Sequence, residues 1–274
     1  MDPMSYPAHF APTPYPPAMP APRKRPRHPE AKLGRFSVMD WVTFAFYVGL
    51  MFVLPLALTA LLGDAAAEAE AAAADEDQFS SFVVNFGMYA ILVTLTLFAL
   101  GRELWRSFKT FLWYPWAKFC GLPAAWFATI IATAVLVALA AAASGVGLDG
   151  VNQSQNQDAA TAMMQAIPWP LMVLMVGLMG PLVEEYIFRH LLVGKLSRWI
   201  NPWVLVVLSA LVFMSLHFIG KEWPTLMTGL PYLLMGISFG AGYVLSGKSI
   251  AYSYCMHAFS NCMALLLTYT TAGA

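Results

Sequence analysis

The sequence predicts an all-α fold, a polytopic bundle of about seven transmembrane helices with a cytoplasmic N-terminus. Three observations carry that prediction. Of the 274 residues, 59% are apolar and only 11% charged, against roughly 45–50% and about 25% in soluble globular domains. A soluble chain of this composition could not cover its surface with polar groups. The apolar residues also form continuous runs near the roughly 20 residues a spanning helix needs, without the alternation of a barrel strand. Finally, fifteen basic against fifteen acidic residues give zero net charge. That balance argues against nucleic acid as a partner and leaves the lipid bilayer. Three cysteines, Cys120, Cys255 and Cys262, make no disulfide framework.

Residues 1–37 read as a disordered, Pro-rich basic tail on the cytoplasmic side. The first 35 residues hold ten of the nineteen prolines and the cluster Arg23-Lys24-Arg25-Pro26-Arg27, with no apolar segment to pack. Residues 38–122 are expected to supply two spans, Trp41–Leu62 and Phe79–Leu100, joined by an acidic Ala-rich outer loop without Lys or Arg. A basic, aromatic segment from Arg102 to Lys118 follows, suited to the membrane interface. Residues 123–274 form the expected core, with spans at Pro123–Ala143, Trp169–Leu192, Pro202–Gly220, Leu226–Leu245 and Ile250–Thr271. Lys and Arg collect in the tail and in alternate loops, which predicts the N-terminus in the cytoplasm and the C-terminus outside.

An ionisable side chain at the centre of a span costs about 2.5–3.5 kcal/mol on insertion scales, so each one needs a reason to be there. Glu184, Glu185 and Arg189 fall in the fourth span, His217 in the fifth and His257 in the seventh, with Asn261. Glu185 and Arg189 are four apart, share a helix face and are expected to pair. Glu184 is rotated by about 100° and needs another partner. His257 and Asn261 present two polar groups to one neighbour, and Phe213 sets a ring beside His217. Pro181 leaves a backbone carbonyl unpaired one turn before the glutamates. His190, at the edge of the span, reads as an interfacial residue.

Together, Glu184, His217, His257 and Asn261 would make a hydrolytic site. A carboxylate beside a histidine can take a proton from water, and a histidine with an asparagine can donate to an oxyanion. Glu184, His217 and His257 are equally a zinc ligand set with an open position. Two non-enzymatic readings stand beside these, a transporter and a non-catalytic membrane scaffold. The transporter predicts an internal repeat, and none is visible. A zincin, an aspartyl dyad and a serine elbow are set aside. The chain has no His-Glu-x-x-His, no Gly-x-Ser-x-Gly-like setting, and no aspartate within the spans as drawn.

The order Glu-Glu-x-x-x-Arg (Glu184, Glu185, Arg189), Phe-x-x-x-His (Phe213, His217), His-x-x-x-Asn (His257, Asn261) resembles the CAAX-protease and bacteriocin-processing family. These are the type II CAAX prenyl endopeptidase or Abi intramembrane proteases. The resemblance covers about residues 123–271 and implies a peptide or membrane-protein substrate. It further implies Glu184 as the base that activates water, assisted by His217, with His257 and Asn261 as the oxyanion hole. Glu185 and Arg189 would hold the fourth span, and Phe213 would support His217. The family pattern admits both a zinc-dependent and a metal-free glutamate mechanism. The expected setting is a multi-pass protein of a bacterial plasma membrane. One expectation conflicts with the rest: on straight full-length spans, Glu184 and His217 would lie more than about 10 Å apart in depth.

Overall fold

The computed structural model describes residues 33–63, 78–145, 154–219 and 223–272. The tail before Leu33 and most of the Ala/Glu loop lie outside these residues. The described residues form eight helices and no strand. They are α1 (38–62), α2 (Gln78–Phe111), α3 (Pro115–Ser144), α4 (Gln155–Ala166), α5 (Trp169–Arg198), α6 (Pro202–Leu216), α7 (Leu226–Leu245) and α8 (Ile250–Ala272). Six of them are long and apolar enough to cross a membrane, so the chain is a multi-pass integral membrane protein. The seventh apolar helix, α6, has 15 residues. At 1.5 Å per residue it reaches roughly 22 Å, short of the roughly 30 Å hydrocarbon core.

The helix starts follow local chemistry. α1 begins at a capping box in which the Ser37 side chain accepts from the Asp40 amide and Asp40 accepts from the Ser37 amide. Asp40 therefore lies inside the first span, where it is 1% exposed. That corrects the reading that the spans contain no aspartate. The helix starts at Val38 because Ser37 caps it, three residues before the charge-based boundary at Trp41. α2 breaks at Gly101, whose φ of 40° is one that side-chain-bearing residues rarely adopt. The expected interfacial segment after that break is helical to Phe111. α3 begins at Pro115 and carries Pro123 in its interior, so Pro123 does not start the third span. α4 occupies a connection that reads as a loop. Its signals are the Ser154 cap and Asp158 in the first turn.

α5 is the central helix. From Glu185 to Lys195 it is π-helical, and every residue of that stretch except Leu192 is buried. It runs on to Arg198, beyond the expected end at Leu192. This resolves the conflict in depth. α5 and α6 are joined by a tight turn, and Glu184 lies 14 residues before Arg198 while His217 lies 15 after Pro202. Counted from that shared turn, the two stand level.

α6 and α7 pack closely at Gly236, where an added Cβ would lie 2.9 Å from Ala210 Cα and Cβ. Gly236→Ala is expected to force the pair apart at about 1–3 kcal/mol. The check is a melting temperature several degrees lower in detergent; an unchanged value would contradict this packing.

Candidate active site

α5 brings the two glutamates to the centre of the bundle on different faces. Glu185 Oε1 lies 3.1 Å from Arg189 Nη1, and neither side chain has any exposed surface. The i,i+4 pair expected from the spacing therefore forms. Oε1 also accepts from His257 Nδ1 at 3.0 Å. Arg189 Nη2 donates to Gly236 O at 3.1 Å, and the guanidinium carbon lies 5.0 Å from the Phe213 ring centroid and 5.5 Å from that of Phe239. His257 is stacked on Phe239, with ring centroids 4.4 Å apart, and meets Phe213 edge-on at 5.9 Å. Charge, hydrogen bond and aromatic ring thus offset part of the insertion cost of Glu185, Arg189 and His257 together.

Glu184 stands outside that closed group. Its side chain is 17% exposed, and its Oε2 lies 3.7 Å from His257 Nε2. One oxygen atom can hydrogen-bond to both groups across that gap. Because the Glu185 carboxylate only accepts, the bond at Nδ1 fixes a proton on that nitrogen and turns Nε2 toward Glu184. His217, at the end of α6, is held similarly. Its Nδ1 lies 2.7 Å from Phe213 O, a carbonyl that only accepts, so Nδ1 carries a hydrogen. Its ring lies between Phe213 and Tyr232, with centroids at 4.6 and 4.5 Å.

Asn261 faces α5 one turn along α8 from His257, and its Nδ2 donates to Val176 O at 2.9 Å. The sequence explains that bond. Around residues 173–179 the helix has π register, and the Gly180 amide bonds Met175 O, five residues back. In the same register the next amide would bond Val176 O, but residue 181 is proline and has none. Asn261 supplies the missing donor. Its second N–H remains for another acceptor.

The structure thus joins Glu185, Arg189, Phe213 and His257 by direct contacts, sets Glu184 3.7 Å from His257, brings in His217 through Phe213, and bonds Asn261 of α8 to α5 beside them. Sequence reasoning missed three neighbours on α7: Tyr232, Phe239 and Gly236. No motif marks the rings, but the recurring glycines of α7 (Gly229, Gly236, Gly240 and Gly242) signal close packing. Between α3, α7 and α8 lies an apolar cavity of about 350 Å³ lined by Trp126, Met235, Phe239, Met256 and Ser260 among others. Phe239 is the wall shared by cavity and site.

One carboxylate and two imidazoles are donors that suit zinc. Among the described residues, however, no three His, Cys, Asp or Glu side chains converge as a ligand set. Glu184 and His257 approach one another, while His217 Nδ1 is held on its own helix by Phe213 O.

A membrane-embedded helix bundle with a buried Glu–Arg–His group and a second, partly exposed carboxylate defines a candidate intramembrane hydrolase. Residues 166–263 match the family model described as type II CAAX prenyl endopeptidase Rce1-like, so an Rce1-like domain occupies that segment. The match bears out the resemblance read from the three motifs, spans all seven of their residues, and supports a protease acting on a peptide substrate at the bilayer. No curated protein and no solved structure matches the chain.

Proposed function

We propose that the chain is an intramembrane endopeptidase that hydrolyses a peptide bond of a membrane-associated peptide or protein, with water activated by Glu184. The observation that carries this reading is the order Glu184–His257–Glu185. The partly exposed carboxylate faces the nitrogen of an imidazole whose other nitrogen is held by the buried one. Glu184 takes the proton of a water as the water attacks the carbonyl carbon, assisted by His217. The oxygen of the tetrahedral intermediate accepts from the free N–H of Asn261 and from His257. Since His257 Nδ1–H is committed to Glu185, donation from Nε2 requires the doubly protonated ring. Collapse of the intermediate returns the proton to the leaving amine. The apolar cavity behind Phe239 supports a substrate with an apolar group beside its scissile bond, such as a prenylated cysteine. The proposed setting is the plasma membrane of a bacterium.

Zinc would act here as a Lewis acid for the carbonyl and its water, with Glu184, His217 and His257 as the residues to hold it. The test is cleavage of two quenched fluorescent peptides in proteoliposomes, one with a farnesylated cysteine and one without. Wild type is compared with Glu184→Ala and His217→Ala, with and without a chelator. Cleavage lost in both variants supports the reading. No cleavage by wild type, or undiminished cleavage in both variants, overturns it. Loss with chelator and recovery on adding zinc would assign the metal-dependent form.

A further inference from the structure

The central helix carries a second polar network that the site does not use. Tyr186, His190 and Lys195 lie on α5 beside the site residues Glu185 and Arg189, and all three are buried. Tyr186 Oη donates to Asp40 Oδ1 at 2.6 Å, and Lys195 Nζ donates to Asp40 Oδ2 at 2.5 Å. His190 stacks on Tyr186, with ring centroids 5.6 Å apart and planes 18° apart, and its Nε2 lies 2.9 Å from Glu103 Oε2. Burial raises the Glu103 carboxyl, but His190, Lys195 and the Gly34 amide together more than offset it, so Glu103 sits below the ordinary carboxylate range. His190 is thus a buried residue facing the Glu103 carboxylate, which corrects its reading as an interfacial residue. Its partner lies 87 positions earlier in the chain, beyond reach of any local pattern.

We infer that Asp40, Glu103, Tyr186, His190 and Lys195 are positioning residues that set the rotation and depth of α5, and with them the placement of Glu184. A helix stretch buried nearly all round among apolar neighbours gains little from one rotation over another. The buried side chains of its own Trp169 end include Met172, Met175 and Met179, which adapt to small shifts. Directional bonds do discriminate. A rotation that moves Glu184 away from His257 also pulls Tyr186 and Lys195 off the single carboxylate of Asp40, and buried polar contacts are best attested in this register-setting role. α1 and α2 lie outside the segment that matches the family model, so the inference makes them part of the working enzyme.

The inference rests on the endopeptidase reading, and its test separates the two. Tyr186→Phe removes one hydroxyl and keeps the ring on His190. Lys195→Met removes the charge, and Lys195→Arg restores it. In proteoliposomes, with the farnesylated peptide and well below each variant's melting temperature, Tyr186→Phe and Lys195→Met are expected to lose about tenfold in kcat, with KM within about twofold of wild type. Lys195→Arg is expected to recover most of the loss. If both variants melt earlier yet turn over at the wild-type kcat, the network serves stability alone and the inference falls. Glu184→Gln, run in parallel, assigns the failure. Inactive Glu184→Gln beside fully active Tyr186→Phe and Lys195→Met overturns the positioning role only, whereas active Glu184→Gln overturns the endopeptidase reading and the inference with it.

Discussion

Glu184→Gln is expected to lower kcat for peptide cleavage by about 10²–10⁴-fold, the range that a positioned general base contributes, and to leave the protein folded. The side chain is 17% exposed, and its nearest titratable partner, His257 Nε2, is 3.7 Å away. No close ion pair is broken when the charge is removed, and the amide fills the same volume. KM should change little, because the carboxylate acts on the water rather than on the bound peptide. The neighbouring substitution Glu185→Gln should behave differently. It leaves Arg189 without its carboxylate in a place with no exposed surface, so it should lower the melting temperature as well as the rate. Two adjacent glutamates would then divide into one whose loss is read in kcat and one whose loss is read first in stability. Residual kcat within tenfold of wild type in Glu184→Gln, with the enzyme folded, would rule out Glu184 as the base.

The extent to which this site was legible depended on the distance over which its interactions act. The Glu185–Arg189 pair and the Phe213–His217 contact are four-residue relations on one helix, so spacing alone exposed them. The end of α5 was misplaced because Lys195 and Arg198 look like a boundary. Lys195 is instead neutralised inside the bundle by Asp40, 155 positions earlier. Asp40 was missed for the converse reason: a charge beside Trp41 reads as the flank of a span, although Ser37-x-x-Asp40 has the spacing of a capping box. α6 looked like a full span because Phe218 and Ile219 continue its apolar run after the helix has ended at Leu216. The donor for the carbonyl freed by Pro181 could not be named either. Asn261 serves it from another helix and in a π register that no residue of the segment announces.

Arg189→Met is expected to destabilise the fold by about 3–5 kcal/mol, the usual penalty for leaving one member of a buried ion pair alone. Three helices meet at this guanidinium. Besides Glu185 on its own helix, it bonds Gly236 O of α7 and lies against Phe213 of α6. Removing it frees the α7 carbonyl, leaves the Glu185 carboxylate without its cation in an apolar interior, and withdraws the cation from rings that also flank both histidines. The expected observation is a large fall in melting temperature in detergent and little folded protein in membranes. Glu185→Leu combined with Arg189→Met removes both charges, so much of that loss should be recovered, since an apolar pair of similar volume often replaces a buried ion pair without penalty. Activity should not return, because His257 Nδ1 has then lost the carboxylate that fixes its tautomer. A double variant that melts like wild type yet cleaves no peptide would separate the two roles of Glu185: bearing the charge of Arg189 and orienting His257. A single Arg189→Met variant with an unchanged melting temperature would show instead that the pair is not what joins α5 to its neighbours.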